Sequence, residues 1–204
     1  LHVLVQRLGV APAAFYGMST GGRSNMILAS RYPEDIAALI IAPLTGGTYA
    51  AARLSEDYFF KYLPNKTLMT REHLDNLPLT SMQDVAETEY WSAYLDRNTP
   101  ERRARFFRAN VSDFLAAMRT SGEHLQATRF QTALGMPDEE LAAIRVPATL
   151  LLHHDQYSDN LHPITNSRAA TTLINNSTFA FGRELPQILE ALVPFVKAHT
   201  PPRN

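Results

Sequence analysis

The sequence predicts an α/β fold, a mostly parallel sheet with a helical segment inserted into it. Three observations carry that prediction. Short apolar runs alternate with helical patterns at both ends of the 204-residue chain. Residues 36–42 are apolar without alternation, as a parallel strand covered on both faces must be. Between about residues 45 and 143 only helical patterns occur.

Taken in order, residues 1–44 read as a first helix, a strand at 13–18, a helix at 20–32 stopped by Pro33, and the strand at 36–42. The turn Leu44-Thr45-Gly46-Gly47 hands the chain over to the helical stretch. There, residues 49–63 carry Leu54, Tyr58 and Tyr62 at four-residue intervals, and helices at 81–95 and 100–109 follow. In the next helix, 112–129, Phe114, Leu115, Met118 and Leu125 make one apolar side. Thr70 before His73 and Thr99 before Arg102 mark helix starts, and Pro137 opens a short helix with acids in its first turn, where the helix dipole favours them. The α/β pattern then returns as a strand at 148–153, a helix at 164–174, a strand at 177–181 and a helix at 185–198, ended by Pro201 and Pro202. The expected division is a core of residues 1–44 with 144–204 and a helical cap of residues 45–143. The aromatic residues of that cap, Tyr49, Tyr58, Phe59, Phe60, Tyr62, Tyr90, Trp91 and Tyr94, suit either an ordinary core or the lining of an apolar pocket.

Nineteen basic and twenty acidic side chains leave a formal charge of −1, so nothing in the electrostatics asks for nucleic acid or an anionic membrane as partner. No apolar run approaches the roughly 20 residues of a membrane span, and the first residues lack the layout of a signal peptide; a cytoplasmic location is the expectation. The chain has no cysteine, which excludes thiolate catalysis, disulfides and cysteine-based zinc sites.

The strongest chemical signal is Phe-Tyr-Gly-Met-Ser-Thr-Gly-Gly at residues 15–22. Ser19 stands between Gly17 and Gly21, after a strand pattern and before a helical one. A serine lifted on a strand-to-helix turn adopts a cramped backbone, and the positions two before and two after it are expected to tolerate only a very small side chain. The alternative is a tight turn with an inert serine.

The neighbouring residues extend the pattern. Leu-Val-Gln-Arg-Leu-Gly-Val at 4–10, Ala-Ser-Arg-Tyr-Pro-Glu-Asp-Ile-Ala-Ala-Leu-Ile-Ile at 29–41 and Ile-Arg-Val-Pro-Ala-Thr-Leu-Leu-Leu-His at 144–153 flank a divergent middle. Together with the Gly17-to-Gly21 motif they resemble the α/β-hydrolase family. The resemblance implies a partial α/β-hydrolase-type sheet with an inserted cap. In that family several strands come before the helix that leads into the elbow, and one of their loops supplies half of the oxyanion hole; a chain that opens at Leu1 is therefore expected to be the carboxyl-side part. The four strands present would be neighbours, the elbow strand would have an open edge, and such an edge invites self-association into a homo-oligomer.

The implied function is that of a serine hydrolase acting on a small-molecule ester or other small carbonyl substrate, through an acyl-enzyme on Ser19 and with no cofactor. The Thr20 N–H matches the family's surviving oxyanion donor. In this family the chain order is serine, acid, histidine, and the acid often stands a few residues before a proline that opens the next helix. Asp159, four residues before Pro163, has that spacing; Asp155 is the second choice. The family's histidine sits in a loop after the last strand, but here the loop reads Phe181-Gly182-Arg183-Glu184. An arginine stays protonated and cannot act as base. His199 lies roughly 20 Å or more further along a helix and suits a helix-end cation. His154 and His162 flank the candidate acid and are the alternatives. The set His153, His154, Asp155, Asp159 and His162 also contains ligand types for zinc, but its spacing matches no established motif and no metal is expected. The rival reading is a catalytically inactive ligand-binding or interaction protein on the same fold. A haloalkane- or epoxide-type hydrolase is disfavoured, because those enzymes carry aspartate at the elbow tip.

Overall fold

The computed structural model describes residues 1–59, 79–87, 89–155 and 159–200. The positions Phe60, Tyr62, Thr70, His73, Pro201 and Pro202, and the side chains of Tyr58 and Tyr90, lie outside the described residues. In chain order the elements are α1 (His2–Leu8), β1 (Ala13–Gly17), α2 (Thr20–Arg31), β2 (Ile36–Ile41), α3 (Gly47–Tyr58), α4 (Met82–Ala86), α5 (Glu89–Asp96), α6 (Pro100–Phe107), α7 (Val111–Ala127), α8 (Asp138–Ala142), β3 (Thr149–His154), α9 (Ile164–Leu173), β4 (Ser177–Gly182) and α10 (Leu185–His199). They divide into two compact units, Leu1–Ala51 with Ala127–Asn204, and Ala52–Gln126.

The first unit is built on a four-stranded sheet in the order β1-β2-β3-β4, parallel throughout. Its two central strands explain the unbroken apolar runs. All six residues of β2 are buried, because the sheet is covered on both sides. Leu39, Ile41 and Leu151 face one cluster with Met26, Ala29, Leu141 and Ala170, supplied by α2, α8 and α9. Ala38, Ile40, Leu150 and Leu152 face the other, under Ile188, Leu192 and Phe195 of α10. Period-two alternation therefore sorts side chains between two apolar layers rather than between core and water. β1 stands at the edge of the described sheet and leaves Tyr16 exposed.

The helix ends are set by local chemistry. Gly9 closes α1 in the left-handed conformation at φ 62°, with its N–H on the Gln6 carbonyl. α2 stops at Arg31 because Pro33 opens a 3-10 turn, Pro33–Asp35, that runs directly into β2. α10 begins with a capping box in which the Glu184 side chain and Gln187 satisfy each other's backbone N–H groups.

The second unit is helical. Trp91 packs edge-on against Tyr94 and Phe114, with ring centroids 5.2 Å apart in both cases, and tilted on Phe106 at 5.1 Å. Met82 and Val85 complete that cluster. These aromatics are core of their own unit. The single helix expected over 81–95 is two, α4 and α5. Val85 and Trp91 both enter the same cluster, and six residues along one straight helix would turn them about 120° apart. Thr99 caps α6 by accepting from the Arg102 N–H, and a capping box of Ser81 with Asp84 starts α4. No described helix is long and apolar enough to cross a membrane.

Candidate active site

The turn between β1 and α2 is an elbow. Ser19 has φ 48° and ψ −119°, a region that side-chain-bearing residues seldom occupy and that costs on the order of 1–3 kcal/mol. Several contacts hold it there. The Ser19 N–H donates to the Pro43 carbonyl at 3.1 Å, the Gly21 N–H to the Met18 carbonyl at 2.7 Å, and the Ala42 N–H to the Gly17 carbonyl at 2.9 Å. The Thr20 N–H, at the first position of α2, has no acceptor among the described residues, as is usual for the first N–H groups of a helix.

The steric demand of the elbow falls differently from expectation. A Cβ on Gly17 would stand 2.6 Å from three backbone atoms of Gly21 and Gly22, and one on Gly22 would stand 2.9 Å from the Ile41 side chain. A Cβ on Gly21 would meet nothing within 4 Å. The glycines that close packing requires are therefore Gly17 and Gly22. Gly21 fits the motif, but its outward position imposes no such limit.

Ser19 Oγ lies 3.0 Å from Thr45 Oγ1. Thr45 is buried in the turn after β2, and the next residue, Gly46, donates its N–H to the Leu161 carbonyl at 3.2 Å. That bond ties the serine's turn to the loop after β3, where the candidate acid stands. Asp159 Oδ1 accepts from the Leu161 and His162 N–H groups, each at 2.9 Å, and contacts His162 Nδ1 at 2.9 Å. Desolvation, the largest single influence, pushes the Asp159 carboxyl up, but the His162 ring and the two N–H groups together hold it below its usual value. Asp155 is exposed at the end of β3, and Arg183 is exposed in the turn after β4, its N–H on Gln187 Oε1 at 2.7 Å.

The three histidines near this end of the sheet differ sharply. His153 is fully buried, its ring roughly parallel to Phe181 at 6.2 Å, and neither ring nitrogen has a partner among the described residues. His154 is half-buried and lines a cavity of about 260 Å³ with Tyr16, Met18, Pro43, Leu152, Leu185 and others. His162 is 9% exposed, with Nδ1 on Asp159 and Nε2 buried without a partner among the described residues. His199 ends α10 and packs on Phe195 at 4.8 Å. Among the described residues, the three metal-capable side chains whose ligand atoms lie within 4.8 Å of one another are His2, Glu34 and Asp35, before β2 and at the opposite end of the strands from Ser19. There His2 Nδ1 is already 2.8 Å from Asp35 Oδ2.

Burial pushes the His153 imidazole below its ordinary value of 6.5, and the nearby His162 acts in the same direction. The folded state therefore binds fewer protons at His153 than the unfolded chain does. Stability from this group is complete above about pH 6.5 and is lost as the pH falls below it. Thermal unfolding between pH 7.5 and 5 is expected to show a falling Tm in the wild type and a flatter profile in His153→Phe; equal slopes would exclude His153 as the source.

Sequence reasoning missed Thr45, which holds the serine hydroxyl, and Gly22. The signal for Thr45 was its position as a hydroxyl at the carboxyl end of the strand next to the elbow strand, where site residues of parallel sheets gather.

No family model matches the sequence, and no curated protein matches it. Solved structures do. Rv0554 from Mycobacterium tuberculosis is similar over 98% of this chain and 70% of its own, with a TM-score of 0.55 at 16% identity. MGS-M2, an α/β hydrolase enzyme from a Medee basin deep-sea metagenome library, matches over 100% of this chain and 71% of its own, with a TM-score of 0.52 at 18% identity. A hydrolase from Pseudomonas aeruginosa matches over 94% and 67%, with a TM-score of 0.51 at 21% identity. At such identities the likeness is one of fold, and with the parallel sheet, the elbow after β1 and the inserted helical unit it identifies this chain as built on the α/β-hydrolase fold.

Proposed function

We propose that this chain is a serine hydrolase that transfers the acyl group of a small ester or related carbonyl compound to Ser19 and then to water. The observation that carries the reading is the Ser19 backbone, φ 48° and ψ −119° on a strand-to-helix turn, with the hydroxyl half-buried and the Thr20 N–H unengaged beside it. A hydrolase needs this geometry: Oγ forms a bond to the carbonyl carbon while the carbonyl oxygen takes up negative charge within reach of a fixed N–H. The cavity bounded by Met18 and Pro43, the neighbours of Ser19 in sequence and by hydrogen bond, is walled mainly by apolar side chains and suits a small apolar acyl or alkyl group.

A second reading has its own observation. Arg183 occupies the turn where the family resemblance expects the histidine, so a binding protein that keeps the elbow without turnover fits the same fold. An alkyl fluorophosphonate separates the two. Its phosphorus is attacked only by an activated serine, with loss of fluoride. Mass spectrometry is expected to find one adduct on Ser19 of the folded chain and none in Ser19→Ala. A folded wild type that stays unmodified would favour the binding protein.

A further inference from the structure

We propose that His162, oriented by Asp159, is the general base that takes the Ser19 proton, in place of the histidine that position 183 lacks. The proposal rests on the reading of Ser19 as nucleophile. A catalytic imidazole needs one ring nitrogen held by a carboxylate, so that the other is an acceptor, and that second nitrogen must be uncommitted. His2 with Asp35 and His162 with Asp159 each have a carboxylate on Nδ1. His2 sits by the turn that precedes β2, at the amino end of the strands, whereas Ser19 follows β1 at the carboxyl end. His162 is on the correct end.

Three features make the Asp159–His162 pair a prepared unit. The same carboxylate oxygen that holds Nδ1 also accepts the His162 and Leu161 N–H groups, so loop and ring are fixed together. The residue is 9% exposed, and its Nε2 is buried with no partner among the described residues, a position that is unfavourable unless another group comes to use it. The preceding residue, Leu161, is bonded to Gly46, and Thr45 beside Gly46 is bonded to Ser19 Oγ. In the resting state Ser19 lies on Thr45 rather than on His162, which accords with catalytic hydrogen bonds that tighten only when substrate is present.

In the reaction the Ser19 proton moves to His162 Nε2 as Oγ bonds to the carbonyl carbon. The leaving alkoxide takes that proton from Nε2 and departs as the alcohol. Water then repeats the sequence, giving its proton to Nε2 and its oxygen to the acyl carbon, and Ser19 recovers the proton as the acid leaves. Protons and electron pairs balance without any further reactant.

The test measures the rate of Ser19 labelling by an alkyl fluorophosphonate in the full chain, with folding checked by circular dichroism. His162→Ala is expected to slow labelling about 10²–10⁴-fold, and added imidazole to restore part of the rate. Asp159→Asn is expected to slow it by a similar factor, because the amide presents the wrong tautomer. Its exposed side chain makes this variant decisive even if His162→Ala does not fold. Labelling at the wild-type rate in either folded variant would overturn the role of His162 while leaving Ser19 as nucleophile. A folded wild type that never labels would remove the nucleophile first, and the base with it.

Discussion

Alanine at position 17 is expected to lower the stability of the sheet-bearing unit by about 3 kcal/mol or more, while alanine at position 21 is neutral or stabilising by up to about 1 kcal/mol. The two glycines are symmetric about Ser19 in the sequence and opposite in their surroundings. At Gly17 the added carbon would fall 2.6 Å from Gly21 C, Gly21 O and Gly22 N. All three are main-chain atoms in the first turn of α2, so no rotamer change relieves the overlap, and the helix must move away from the strand that launches it. That movement also breaks the Ala42 N–H bond to the Gly17 carbonyl, one of the links between β1 and the chain after β2. At Gly21 the carbon would enter open space in a helix, where alanine is the better former. Thermal unfolding should show Gly17→Ala about 10 °C below the wild type and Gly21→Ala at or above it. A Gly17→Ala variant that melts with the wild type would mean that the elbow is not packed as described.

The second large effect is expected at Gly46. Its Cβ would overlap Asn166 Nδ2 and the Thr132 carbonyl, two groups already bonded to each other at 2.7 Å. Gly46→Ala must therefore part the start of α9 from residue 132 or shift the turn that carries Thr45. Loss of a buried hydrogen bond, about 0.5–1.5 kcal/mol, adds to an overpacking strain of about 1–3 kcal/mol. Because the Gly46 N–H also anchors Leu161, the variant should lose Ser19 labelling together with stability. Asn166→Ala in the same chain removes one of the two obstructions, so the double variant should be less destabilised than the sum of the singles. Strict additivity would show that Gly46 and Asn166 do not meet.

The strands were legible because burial writes itself into composition. The six residues of β2 had to be apolar throughout, since water reaches neither face. Ser19 was legible for a similar reason: a backbone at positive φ next to a close helix leaves a glycine at position 17. Other features depend on which atoms meet across the fold, and no local pattern carries that. Gly21 and Gly22 are adjacent and alike in sequence, and only the approach of Ile41 from β2 decides which one is crowded. Thr45 reads as part of a plain turn until β1 and β2 lie side by side and bring its hydroxyl to Ser19. Asp159 was singled out by its distance from Pro163, yet nothing in that spacing shows that one of its oxygens takes three contacts, one from Leu161 and two from His162. The break between α4 and α5 likewise follows from where Val85 and Trp91 must point, not from a helix-breaking residue.

Gln126 Nε2 donates to Ser55 Oγ at 2.6 Å, which brings the first and last parts of the helical unit together. The strands on either side of that unit, β2 and β3, are neighbours in the sheet despite the long excursion between Ile41 and Thr149. Chain entropy opposes such a pairing, although only by about 0.6 kcal/mol for each doubling of the loop. If the helical unit forms first, its joined ends shorten the excursion before the sheet closes. The Ser55–Gln126 contact then limits the entropic cost that the insertion adds to the pairing of β3 with β2.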